Sequence, residues 1–155
     1  MNPFIGATNK NPTIEAIIPF VDLFLYDLKV IDDKKHQRFT GIVNDLILQN
    51  AVNLITSGAS VEFRMPLVPG HNDDEHDLER VIEFVKDVSQ KSPRSRGSRS
   101  EPTLHILPYH QLGMSKYEQL GRDYPLISVP TPSAEQIEEI KSRCERMGVI
   151  IEVGE

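Results

Sequence analysis

VDLFLYDLK, residues Val21–Lys29, is the stretch from which the fold is read. Its Val, Leu, Phe and Tyr residues favour a strand. Side chains alternate along an extended chain, so Leu25, Asp27 and Lys29 share one face and Phe24, Tyr26 and Leu28 the other. A core strand therefore ends with an acid and a base on one face. Further runs have the same apolar, β-branched or aromatic character: VEFRMPLVPG (61–70), TLHILPYH (103–110) and VIIEV (149–153). Helical periodicity fills the intervals. A helix from about Asn44 to Gly58 places Ile47, Ala51, Leu54 and Ile55 on one stripe. A second is expected to start on Asn72, with Glu75 at capping-box spacing, Asp73 and Asp74 at the positive end of the dipole, and Leu78, Val81, Ile82 and Val85 buried. The third pairs Ser133 with Gln136, buries Ile137, Ile140, Cys144 and Met147, and stops at Gly148. A short helix is expected from Thr13 to Pro19. Strand then helix, repeated, predicts an α/β domain built on a parallel sheet.

Composition narrows the function classes. At 155 residues and 39% hydrophobic, the chain suits one domain spanning residues 1–155 with a real core. A net charge of −6 argues against nucleic acid as a partner, because phosphate binding draws on clustered Lys and Arg. The opening MNPFIGATNK lacks a basic segment followed by an apolar one, and AIIPFVDLFLY is broken by Pro19 and Asp22, so the expectation is a soluble, cytoplasmic protein that does not meet a membrane. Cys144 is the only cysteine, which excludes an intrachain disulfide and any metal site built on several thiolates of this chain. SQKSPRSRGSRSEPT, residues 89–103, holds no apolar residue and is expected to be a flexible loop whose arginines are solvated.

In a parallel α/β layout ligands collect at the carboxyl ends of the strands. Asp27 and Lys29 stand at such an end, either as a strand-end ion pair or as contacts to a polar ligand. Arg64, between Phe63 and Met65, needs an anionic partner, and the third strand closes on Tyr109 and His110. Successive strands ending in Asp and Lys, Arg and His point together to a polar site. Other candidates fail on geometry. His71 and His76, five residues apart on a helix, are separated by about 140° and do not share a face as metal ligands at i,i+4 would. Cys144 falls on an apolar stripe and reads as an inert core thiol. No phosphate loop, GxSxG or CxxC occurs.

VDLFLYDLK, KHQRFTGIVNDLILQN, VEFRMPLVPGHNDDEHDL and LHILPYHQLGMSKYEQLGRDYPL, in that order and spacing, resemble the later half of glycyl-radical-enzyme activating enzymes of the radical S-adenosylmethionine (SAM) superfamily. The resemblance covers about Ile14 to the C-terminus. It implies a partial, TIM-like (β/α) barrel, of which this chain would be about half of six units. It also implies SAM and an iron–sulfur cluster as cofactors, the cluster held by a Cys-x-x-x-Cys-x-x-Cys loop. Reductive cleavage of SAM then yields a 5′-deoxyadenosyl radical that takes hydrogen from a glycine of a client, a glycyl-radical enzyme of the pyruvate formate-lyase kind. Asp27 matches the position near the SAM amino-acid end and a monovalent-cation site. Lys29 matches one facing the SAM carboxylate or the substrate peptide, Arg64 an arginine of the SAM pocket, and His110 a histidine beside the adenosine and the bound peptide.

The cysteine loop and the segment that holds the SAM amino group are absent from these 155 residues. The expectation is a chain with no metal site or catalytic residue of its own, binding neither cofactor stably and inactive without a missing N-terminal radical SAM half. The other readings are a non-catalytic module that binds the client enzyme, and a half-barrel hydrolase or aldolase using Lys29 as a Schiff-base amine. A half-barrel would leave its first strand without a neighbour, an edge open to cover by residues 1–12, by a second copy or by the complementary half, of which a homodimer is the favoured expectation.

Overall fold

The computed structural model describes residues 12–93, 103–110 and 114–154. In chain order the elements are α1 (Pro12–Ile17), followed by a 3-10 turn (Ile18–Phe20), β1 (Phe24–Asp27), α2 (Asp33–Thr40), α3 (Asp45–Thr56), β2 (Val61–Leu67), α4 (Glu75–Ser89), β3 (Thr103–Pro108), α5 (Met114–Gln119), α6 (Ala134–Met147) and β4 (Ile150–Val153). The strands form one sheet in the order β1-β2-β3-β4, every neighbouring pair parallel. This is the α/β, parallel-sheet architecture read from the sequence.

Register divides the sheet into two faces. Tyr26, Phe63, Leu104 and Ile151 stand across from one another, as do Met65 and Ile106 one step along, and these side chains enter the core. Against them pack Ala51 and Ile55 of α3, Val81, Ile82, Phe84, Val85 and Val88 of α4, and Ile140 and Cys144 of α6. Phe63 meets Phe84 edge-on, with ring centroids 6.4 Å apart. Each large side chain buried here contributes about 1.5–3 kcal/mol, so the α4 face alone anchors the helix to the sheet. The opposite face carries Leu25, Asp27, Glu62, Arg64, His105 and Glu152, all exposed or half-buried.

Two caps differ from expectation. Asp74, not Asn72, caps α4: its side chain accepts from the Asp77 N–H, and the chain is extended at Asp74. Asn44 precedes α3 without a side-chain cap; instead its amide donates to the Val30 and Ile31 carbonyls and fixes the exit of β1. The Ser133–Gln136 capping box of α6 forms as read, and the helix ends on Gly148 at φ +75°. Helix α2 carries no apolar stripe and was not anticipated; Asp32 caps its start by accepting from Lys35 N–H, and Gly41 closes it at φ +84°. Of the expected loop 89–103, Ser89 belongs to α4 and Thr103 to β3, and residues 94–102 lie outside the described residues. Among the described residues no helix is long and apolar enough to cross a membrane.

Candidate functional site

The carboxyl ends of β1 and β2 open into a cleft of about 590 Å³, within the roughly 300–1,000 Å³ range of small-molecule sites. Asp27 and Lys29 line it from β1 and its exit, and Pro66 and Val68 from β2 and its exit. Arg38 and Phe39 complete one wall from the end of α2.

The four residues singled out in the sequence are placed as follows. Asp27 and Arg64 are direct partners in the β1–β2 register, and the Arg64 guanidinium grips Asp27 Oδ1 from Nε at 2.9 Å and from its terminal nitrogen at 2.8 Å. Arg64 thus finds its anion on the neighbouring strand. Lys29 is not the partner of Asp27; it sits two residues further along, exposed in the cleft, and no ion pair among the described residues engages it. His110 is exposed, two residues past the end of β3, and is not part of the cleft lining. Its neighbour Tyr109 is buried instead: the Tyr109 N–H donates to Leu67 O, its hydroxyl donates to Leu126 O at 2.9 Å, and burial with the Tyr124 hydroxyl pushes its pKa up to about 12.

Sequence reasoning missed the residue that holds the cleft together. Asn72 is 5% exposed. Its Nδ2 donates to Lys29 O and to Pro66 O, both at 2.7 Å, and its Oδ1 accepts from Val68 N–H at 2.8 Å. One side chain therefore ties the exit of β1 to the end of β2 and sets the backbone at Lys29. His71 precedes α4 rather than lying on it, so the helical-angle test against His76 does not apply; it lines the cleft, with its Nδ1 3.1 Å from Pro69 O. Beside the cleft, Lys35 bridges Asp74 at 2.5 Å and Asp77, joining α2 to the start of α4. The Lys35 contact holds the Asp74 carboxyl down to about 2, whereas burial raises Asp77.

A charged row crosses the open sheet face. Asp27, Arg64, His105 and Glu152 stand in register on four successive strands, and His105 Nδ1 lies 3.6 Å from Glu62 and 3.4 Å from Glu152. No single segment reveals this row, since it exists only once the register is set.

A zwitterionic amino-acid group fits the donor set of the cleft, an unpaired ammonium at Lys29 and a carboxylate at Asp27 within one cavity. An iron–sulfur cluster does not fit these residues. The sole thiol, Cys144, is 0% exposed on the core side of α6, and burial pushes its pKa up to about 11, the opposite of what a thiolate ligand needs.

No protein-family model matches the sequence. The chain is 37% identical over 147 residues to the trans-4-hydroxy-L-proline dehydratase activating enzyme of Clostridioides difficile, a match covering 94% of this chain and 45% of that protein. It is 36% identical over 133 residues to the choline trimethylamine-lyase activating enzyme of Oleidesulfovibrio alaskensis, covering 86% and 41%, and 31% identical over 138 residues to the pyruvate formate-lyase 1-activating enzyme of Escherichia coli K12, covering 89% and 52%. It therefore spans about half the length, or less, of these relatives. Among solved structures, a domain of a pyruvate formate-lyase-activating enzyme from Bacteroides vulgatus superposes with a TM-score of 0.71 at 23% identity over 94% of this chain and 75% of that one. A radical SAM methyltransferase from Sphaerobacter thermophilus gives 0.59 at 18% identity over 92% and 37%. The structural matches bear on the fold alone: a parallel α/β sheet shared with a radical SAM protein and consistent with a partial barrel.

Proposed function

We propose that this chain, which is similar to glycyl-radical-enzyme activating enzymes, supplies the part of such an enzyme that holds the amino-acid end of SAM and faces the client glycyl-radical enzyme. The observation that carries this reading is Asp27, held by Arg64 from outside the cleft lining, beside Lys29, which enters no ion pair among the described residues, in one cleft. Lys29 meets the SAM carboxylate, and Asp27, oriented by Arg64, meets its ammonium or an accompanying monovalent cation. Asn72 fixes the Lys29 carbonyl and so the direction in which the lysine leaves the strand. His110, outside the cleft lining, is assigned to the adenosine side and the client peptide, and Lys29 also borders that peptide. SAM, together with an iron–sulfur cluster held elsewhere, would supply the chemistry of hydrogen abstraction from the client. The cluster thiolates come from polypeptide outside these 155 residues, an N-terminal radical SAM half, because one core cysteine cannot provide them. Alone, the chain is inactive and holds SAM weakly. A cytoplasmic setting follows from the reading. The second reading, a non-catalytic module that holds the client's loop, uses the same cleft and also draws on Cys144 being the only cysteine.

The test is titration of the isotope-labelled chain with SAM and with decarboxylated SAM, read by amide resonances. SAM at millimolar concentration is expected to move the signals of Asp27, Lys29 and Asn72, while calorimetry at micromolar concentration shows no heat. Decarboxylated SAM should bind more weakly, and Lys29→Gln should erase that difference. Unmoved cleft signals would refute the SAM reading and leave the binding module. Nanomolar binding would show that the site is complete without further contacts.

A further inference from the structure

The reading above assigns the amino-acid group to Asp27 and Lys29 and leaves the α2 wall of the cleft without a role. Arg38 and Phe39 close α2 and line the cleft beside His71 from the turn before α4. The Phe39 and His71 rings lie 5.0 Å apart, tilted by 50°, and the Arg38 guanidinium carbon stands 5.7 Å from the Phe39 centroid. Pro69 O accepts from His71 Nδ1 at 3.1 Å, which holds the ring in place. Phe39 is nevertheless 39% exposed, which leaves part of an aromatic side chain open beside the cleft. Arg38, like Lys29, enters no ion pair among the described residues. In a chain of net charge −6, two unpaired cations bordering one cleft reverse the local sign. Lys29 is occupied by the carboxylate of the small ligand in the reading above, so a second anion falls to Arg38.

We propose that this rim selects the client: it takes an extended polypeptide segment in which an acidic residue adjoins an apolar one. The carboxylate pairs with Arg38, and the apolar side chain covers the Phe39 and His71 rings. The proposal rests on the assignment of a protein client to this cleft. Charge complementarity favours an acidic segment, and the exposed ring gives it an apolar anchor. Arg38 also offsets the dipole at the end of α2, a purely structural role that the test must separate from recognition.

The probes are capped hexapeptides, Ala-Glu-Leu-Gly-Ala-Ala and the same peptide with Gln or Lys for Glu, titrated into the labelled full chain. The Glu peptide is expected to move the amide signals of Arg38, Phe39 and His71 and to bind about three- to fivefold tighter than the Gln peptide, the yield of an exposed ion pair. The Lys peptide should bind weakest. Arg38→Gln should abolish the Glu preference while Arg38→Lys retains part of it, and Phe39→Ala should weaken all three peptides alike. Added salt should reduce the preference. Equal binding of the three peptides by the parent chain, or shifts elsewhere than the rim, overturns the proposal even if Arg38→Gln fails to fold. A SAM titration on the same sample separates the two readings. A SAM response without peptide discrimination removes the rim alone; peptide discrimination without a SAM response removes the SAM assignment and leaves the rim standing.

Discussion

Asn72→Ala tests whether the cleft is held by one side chain. The amide makes three hydrogen bonds, to Lys29 O, Pro66 O and Val68 N–H, from a position 5% exposed. At about 1 kcal/mol net for each, their removal costs about 3 kcal/mol. The spread of net hydrogen-bond values, roughly 0.5–1.5 kcal/mol each, with water entering from the cleft side recovering part of the loss, sets a range of about 2–4 kcal/mol. With a urea dependence of about 2 kcal/mol per molar, the unfolding midpoint should fall by about 1–2 M at unchanged slope. Asn72→Asp is the sharper variant. It is nearly isosteric and keeps the acceptor for Val68 N–H, but it replaces a donor lying 2.7 Å from two carbonyl oxygens with a charged acceptor. It should therefore destabilise at least as much as alanine. The assay is urea unfolding followed by far-ultraviolet circular dichroism for parent, Asn72→Ala and Asn72→Asp. A midpoint for Asn72→Ala within about 0.3 M of the parent, or an Asp variant more stable than the Ala variant, would refute the clamp.

Cys144, 0% exposed with its thiol pushed up to about 11, should not react with DTNB in the native chain and should react with one equivalent in guanidinium; rapid native reaction would contradict its placement in the core. Asp74, held down to about 2, stabilises the fold fully above its unfolded pKa of about 4, and that stability is lost as pH falls toward about 2. Asp77 is raised by burial and works in the opposite sense, its contribution being lost as pH rises. Asp74→Asn keeps a cap acceptor for Asp77 N–H and should flatten the acid limb of a stability–pH profile; an unchanged limb would place the loss elsewhere. The edge of β1, which no strand among the described residues pairs and beside which Leu25 is 51% exposed on the open sheet face, should produce a dimer by light scattering at tens of micromolar that Leu25→Lys disperses, whereas a monomeric parent would remove that expectation.

The parts of this molecule that are local in cause were legible in the sequence. The Ser133–Gln136 box needs only four consecutive residues, and the helix it opens ends on a glycine that can adopt positive φ. The strands are legible because apolar residues alternate with Glu62, Arg64 and Pro66 in VEFRMPL and with Thr103 and His105 in the first half of TLHILP. Asn72 was misread because its spacing to Glu75 imitates a capping box, while Asp74 and Asp77 offer the same spacing two residues on. What decides between them is nonlocal, since the Asn72 amide is drawn to Lys29 O, 43 residues away. Helix α2 escaped for a related reason: DKKHQRFT buries only His36, and capping by Asp32 and Gly41 rather than an apolar stripe defines it. At the site, Arg64 declared its need for an anion by its apolar neighbours. Its partner could be named only with the register in hand, and the same holds for His105 between Glu62 and Glu152.

The hydrogen-bonding sense of β1 gives Asp27 a double position. Phe24 and Leu28 N–H groups donate to Ser60 O just before β2 and to Arg64 O within it, so by alternation the peptide groups of Leu25 and Asp27 face the edge that no described strand pairs. The carboxylate of Asp27 meanwhile lies in the cleft on Arg64. A strand that docks on this edge therefore grips the backbone of the same residue whose side chain helps to form the site, with no intervening element to relay the effect. Were a strand to dock there and a cleft ligand to sense the setting of Asp27, thermodynamic reciprocity would require the ligand to change the docking affinity by the same factor by which docking changes the ligand's.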